Sequence, residues 1–184
     1  VRAALPAIRE KALGIWQTLT WKQFADEERA LACGLASQGF KRGNHLALLG
    51  DNRPRFYAAM CAAQCLGGIP IALYQDAAAA EMAFPIQNAE ITHAVAEDQE
   101  QVDKLLEILP QCAALSHIYY DDPRGMRHYA QAQLMSCEKL LELGHESYRR
   151  DPAFLETEIA KGRGEDTAAM FFTSGTTGVP KGVV

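Results

Sequence analysis

No stretch of this 184-residue chain reaches the roughly 18 uninterrupted apolar residues that a membrane-spanning helix needs. The opening Val1-Arg2-Ala3-Ala4-Leu5-Pro6 also lacks the apolar core of a secretory signal. Cysteine is sparse: Cys33, Cys61, Cys65, Cys112 and Cys137 are odd in number and form no Cys-x-x-Cys pair, which argues against a disulfide framework or a zinc ribbon. Cys61 and Cys65 stand one helical turn apart, but no His or carboxylate is placed to complete a site, so no metal ligand is predicted. Basic charge is not gathered either. With 18 Lys and Arg against 23 Asp and Glu, the net charge is −5 and there is no basic stripe to attract nucleic acid. Internal repeats, low-complexity tracts and long linkers are missing. What is present, 48% hydrophobic and 22% charged residues, is the balance of an ordinary folded domain with enough chain to bury a core. The expectation is a cytoplasmic protein with reduced thiols and no nucleic-acid partner.

The apolar pattern alternates between two periods. Ile15 to Leu19 alternates as a short strand, and Thr20 is placed to cap a helix with Gln23 three positions on. Phe24, Ala25, Leu31, Ala32 and Leu35 continue that helix at a period near 3.6 to about Gln38, and Gly39 supplies the stop. Leu46 to Leu49 is a continuous apolar run bounded by turn residues, as a buried strand should be. Pro54 opens a second helix, with Phe56 to Leu66 apolar nearly all round, and Gly67-Gly68 ends it. The same alternation predicts strands at Ile69–Leu73, Ile91–Val95 and Ser116–Tyr120. Between them lie helices at Ala77–Asn88, kinked or divided by Pro85, and at Gln99–Leu109, ended by Pro110. Four such units predict an α/β fold with a largely parallel sheet flanked by helices. From Asp121 to Asp166 the pattern weakens into a connecting excursion, helical at Ser136–Leu143. Ala168–Phe172 then restores a buried strand. Trp16, Trp21, Tyr74, Tyr119 and Tyr120 read as core aromatics, and His45, His93, His117, His128 and His145 as dispersed side chains without a catalytic set.

The most informative segment is Thr173-Ser174-Gly175-Thr176-Thr177-Gly178-Val179-Pro180-Lys181-Gly182. Its three glycines relax backbone sterics so that successive N–H groups turn toward an anion, while Thr173, Ser174, Thr176, Thr177 and the Lys181 ammonium add donors. This composition is that of a phosphate cradle and exceeds what a polar hairpin turn requires. A Walker loop fits poorly. Counted from Gly175, its second glycine is Pro180, which has no N–H, and its final hydroxyl is Gly182, which cannot reach magnesium. Val183-Val184 further predicts a strand after the loop, not a helix.

Those ten residues resemble the signature of the adenylate-forming enzymes, the AMP-binding superfamily of acyl-CoA synthetases, luciferases and peptide-synthetase adenylation domains. Thr20-Trp21, Gly43, Asp51-Asn52, Gly67-Gly68 and Glu165-Asp166 are similar to landmarks of the same family's N-terminal region, so the likeness covers nearly the whole chain. Gly14-Ile15-Trp16, Tyr74-Gln75-Asp76, Glu97 to Lys104 and Asp121 to Gly125 resemble bacterial long-chain fatty-acid CoA ligases in particular. One departure is Asn44, where the family commonly has Asp.

The resemblance implies residues 1–184 as the N-terminal part of an AMP-binding domain, with 168–184 forming strand, phosphate loop and strand. It implies fatty acid, ATP and coenzyme A as substrates, with Mg2+ beside the ATP. Thr173, Ser174, Gly175, Thr176, Thr177, Gly178 and Lys181 would bind phosphate. The family's aromatic-Gly-x-Thr-Glu segment, its ribose-binding aspartate and its C-terminal lysine would follow Val184. No catalytic residue is therefore expected within the chain, which alone should be inactive. Activation of a different carboxylic acid and a noncatalytic nucleotide-binding module complete at Val184 stay as alternatives. Peripheral contact with the inner membrane face and oligomeric state are left open.

Overall fold

A computed structural model describes residues 2–173 and 180–184. The chain opens with an antiparallel hairpin, β1 (Pro6–Ala12) and β2 (Ile15–Thr20). Of these two strands only β2 is foreseen from sequence. Thr20 then caps α1 (Trp21–Ser37): its hydroxyl accepts from the Gln23 N–H at 3.3 Å, and the Gln23 side chain accepts the Thr20 N–H at 2.9 Å. This is the reciprocal capping box expected of that spacing. Gly39, at φ +90°, turns the chain out of the helix.

Five parallel strands follow in the spatial order β4 (Ile69–Leu73), β3 (His45–Leu49), β5 (His93–Ala96), β6 (His117–Tyr120) and β7 (Leu134–Ser136). Their crossovers are α2 (Pro54–Cys65), α3 (Ala79–Asn88) and α4 (Gln99–Ile108). Strand pleating sends alternate residues to opposite faces. On one face Leu46, Leu48, Val95 and Tyr119 meet α1, α2 and α5 (Cys137–Arg150), with Leu155 of α6 (Phe154–Ile159). On the other, Ala47, Leu49, Ile71, Ala94, Ala96 and Ile118 meet α3 and α4. Both sheet faces are covered, which is why the strands read as continuous apolar runs.

The structure corrects several readings. Pro85 does not divide α3, which runs through it at the cost of one backbone bond. The helix foreseen at Ser136–Leu143 continues through Gly144 to Arg150. Residues 121–166 do more than connect: they supply β7 and α5, and α5 packs more extensively on α1 than any other helix pair does. The buried strand expected at Ala168–Phe172 is instead β8 (Phe171–Thr173), with Phe171 54% exposed. It pairs with β9 (Lys181–Val183) and touches the sheet edge through the parallel bridge of Met170 to Ile71. Of the aromatics read as core, Tyr119 is fully buried and Tyr120 half-buried, whereas Trp16, Trp21 and Tyr74 are exposed.

Candidate functional site

In a parallel sheet, ligands gather at the carboxyl ends of the strands, at the point where the strand order reverses. Here that point lies between β3, whose chain next crosses to β4 on one side, and β5 on the other. The residues just past the strand ends are Gly50-Asp51, Glu97-Asp98 and Asp121-Asp122. Of these, Glu97, Asp121 and Asp122 line a cavity of about 420 Å³, which Glu10 and Gln17 of the β1–β2 hairpin line from the other side.

Charge within this crevice is paired internally. The Glu97 carboxylate accepts from Arg53 Nε at 2.6 Å and from the Asp51 backbone N–H at 2.6 Å. Arg53 also reaches Glu10 of the hairpin at 3.5 Å. Gly50, at φ +153°, has no room for a side chain, since a Cβ there would lie 2.5 Å from Glu97 Cβ and 2.8 Å from the Phe56 ring. Beside it, Arg55 bridges Glu27 at 2.5 Å and Asp121 at 2.9 Å. Asp122 is turned to Arg124, and that pairing holds its carboxyl below the usual range. Asp121-Asp122 is thus an arginine-held turn. None of the long-range pairs carries a local signature; the available signal is that Asp51, Glu97 and Asp121 each stand within two residues of the end of a predicted strand.

Of the sequence-derived phosphate residues, Thr173 and Lys181 lie at the β4 flank of the sheet. Ser174, Gly175, Thr176, Thr177 and Gly178 fall outside the described residues, and their two neighbours bracket them. Thr173 ends β8, Lys181 begins β9, and the two pair across the hairpin, with Thr173 Oγ1 3.5 Å from the Lys181 carbonyl oxygen. The Met170 N–H donates to the Pro70 carbonyl at 3.1 Å, and the Ile71–Met170 bridge is parallel. β8 therefore runs in the direction of β4, and Thr173 leaves toward the carboxyl edge, the edge that carries the crevice.

The approach to β8 is anchored twice. The Gln64 amide donates to the Ala168 carbonyl at 2.7 Å. Arg42 spans from Asp166, at 2.9 Å, to the Glu158 carbonyl, at 3.1 Å, across Gly67. Asp166 is accordingly a structural anchor. Asn44 likewise serves a turn, its side-chain oxygen accepting the Lys41 N–H at 2.8 Å.

Two histidines that look dispersed in sequence are brought together at the opposite, amino edge. His93 and His117 pair across β5 and β6 and stack with ring centroids 4.5 Å apart, and Phe40 packs edge-on to His93. Burial, and secondarily the neighbouring His117, push the His93 imidazole down to about 4. A depressed histidine binds protons more readily in the unfolded chain, so its stabilising effect fades as pH falls from about 6.5 toward 4. We expect this group to remove about 2 kcal/mol of stability between pH 7 and pH 5. Urea unfolding of His93→Leu should show that part of the slope gone; an unchanged slope would refute it.

Among the described residues, no group of three His, Cys, Asp or Glu is placed to hold a metal ion. All five cysteines are free thiols. Cys65 donates to Glu28 at 3.0 Å, and burial together with that carboxylate pushes it up to about 12, far from a nucleophilic thiolate.

Comparison with known proteins agrees with this architecture. The family model described as AMP-binding enzyme matches residues 2–184. A long-chain-fatty-acid–CoA ligase, ACSBG2, of Xenopus laevis is 27% identical over 180 residues, covering 97% of this chain and 23% of that protein. The FadD15 long-chain-fatty-acid–CoA ligase of Mycobacterium tuberculosis is 27% identical over 169 residues, covering 92% and 26%. The chain thus spans about a quarter of the length of these relatives. Among solved structures, the anthranilate CoA ligase AuaEII in complex with anthranoyl-AMP superposes with a TM-score of 0.75 at 20% identity, covering 91% of this chain and 29% of that one. This neighbour shares the fold. With the family model spanning nearly every residue, the chain belongs to the AMP-binding enzyme family.

Proposed function

We propose that this chain is the N-terminal part of an ATP-dependent long-chain fatty acyl-CoA synthetase. The carrying observation is the motif from Thr173 to Gly182, set between β8 and β9 where β8 runs toward the carboxyl edge of the sheet. A fatty carboxylate oxygen attacks the α-phosphorus of ATP, the bond to the β-phosphate breaks, and acyl-adenylate and pyrophosphate result. The thiol of coenzyme A then attacks the acyl carbonyl, releasing AMP and forming the thioester. The first step brings an anion to a polyanion, so donors and a cation around the departing phosphates lower its barrier. Ser174, Gly175, Thr176, Thr177 and Gly178 hold phosphate oxygens in this reading, with Thr173 at the loop's root and Lys181 supplying positive charge. Mg2+ bound to the ATP phosphates would offset their charge, and no residue of this chain is assigned to it.

The fatty-acid choice is supported by the names of the curated relatives. An aryl acid is the second reading, favoured by the anthranilate-activating fold neighbour. The test is acid-dependent exchange between ATP and pyrophosphate by the full product of the reading frame. Exchange with long-chain acids but not with anthranilate or amino acids is expected, and Lys181→Ala should slow it about tenfold. Exchange only with aryl acids would transfer the assignment to them. No exchange with any acid would leave a nucleotide-binding module.

A further inference from the structure

The hairpin that opens the chain carries more apolar surface than its fold requires. Its two turn residues, Leu13 and Gly14, have φ of +49° and +80°. A two-residue turn with both φ values positive favours Asn-Gly or Asp-Gly, and a leucine in the left-handed region is strained. Leu13 accepts that strain while 96% exposed, so no packing among the described residues offsets it. Next to it Ile15 and Trp16 are 65% and 64% exposed.

The two hairpin faces differ in chemistry. Ile8, Glu10, Gln17 and Leu19 line the crevice at the sheet edge. The opposite face presents Arg9 beside Thr18 and Lys11 beside Trp16, cross-strand neighbours in the register. Residues 2–22 hold four basic side chains, Arg2, Arg9, Lys11 and Lys22, against the single acid Glu10, in a chain whose net charge is −5. Lys22 is committed to Asp26, whereas Arg2, Arg9 and Lys11 are exposed.

We infer that this hairpin is a peripheral docking element for an anionic lipid surface. Leu13 and Ile15 enter the acyl boundary, Trp16 lies at the headgroup level, and Arg9 and Lys11 meet lipid phosphates. An exposed leucine at a strained tip, an adjacent tryptophan and a local excess of positive charge are the combination an interface rewards. The inference is independent of which acid the enzyme activates.

The test is co-sedimentation of the full-length protein with vesicles of mixed phosphatidylcholine and phosphatidylglycerol, and with phosphatidylcholine alone. Binding to the mixed vesicles, weakened by salt and by omitting the anionic lipid, is expected. Leu13→Asn, which suits the turn better and keeps the fold, should bind about tenfold more weakly. Arg9→Gln and Lys11→Gln should each cost about fivefold. Brominated lipid should quench the tryptophan emission of the parent more than that of a Trp16→Phe variant. Equal binding by Leu13→Asn and the parent would overturn the inference. So would absence of binding by the parent to the mixed vesicles.

Discussion

Gly144→Ala is expected to lower stability by about 3 kcal/mol, read as a drop in the urea midpoint of unfolding. α1 and α5 approach so closely at this point that a Cβ on Gly144 would lie 1.8 Å from the Ala30 carbonyl oxygen and 2.9 Å from the Gly34 nitrogen. Gly34 is the reciprocal gap, its own Cβ falling 2.5 Å from the Leu140 carbonyl oxygen. The obstacles are backbone, which has no rotamer to yield, so the helices must separate. Separation strips contacts from Leu31, Leu35, Cys33, Cys137 and Leu140, all fully buried. Overpacking at such a site costs about 4 kcal/mol, against which alanine returns about 1 kcal/mol of helix propensity. Sterics therefore win. Gly164→Ala, where nothing lies within 4 Å, is the control and should be near neutral. Equal midpoints for the two variants would sink the argument.

This glycine shows where sequence reasoning stops. A glycine followed by His-Glu-Ser-Tyr-Arg-Arg reads as a helix end in a polar stretch, yet Cys137, Leu140, Leu141, Gly144 and Tyr148 continue a helical stripe against α1. The stripe is legible only if a missing side chain counts as a packing residue. β1 escapes for a different reason: Pro6-Ala7-Ile8 is apolar and Arg9-Glu10-Lys11 charged, so no alternation registers, and the segment takes its strand conformation from pairing with β2. β7 is three residues long, too short for a period to register. What was legible rests on local chemistry. The Thr20–Gln23 capping box, Pro54 at the start of α2, and the apolar runs of β3 through β6 each need only their neighbours in sequence. The candidate site divides the same way. Loop composition from Thr173 to Lys181 is visible residue by residue, while the Arg53–Glu97 pair joins positions 44 apart and has no local trace.

Arg55→Ala is expected to cost about 3 kcal/mol at neutral pH, with a pH dependence that identifies the cause. Arg55, Glu27 and Asp121 retain only 21–23% of their side-chain exposure, and Arg55 is the cation between the two acids. Burial already raises the Glu27 carboxyl above its ordinary value, with Arg55 working against that rise and Asp121 and Glu10 adding to it. Removing Arg55 leaves burial and like charge unopposed, so Glu27 moves further up. A carboxyl whose folded value is raised destabilises the fold when ionised, and the penalty disappears as pH falls through the raised value toward the unfolded value near 4.5. The variant should thus lie well below the parent at pH 8 and approach it near pH 5, in urea unfolding followed by circular dichroism. Adding Glu27→Gln should recover at least half of the loss at pH 8, because an amide carries no charge to strand. A loss of equal size at both pH values, unrelieved by Glu27→Gln, would assign Arg55 to packing through its aliphatic stem and leave the charge argument without support.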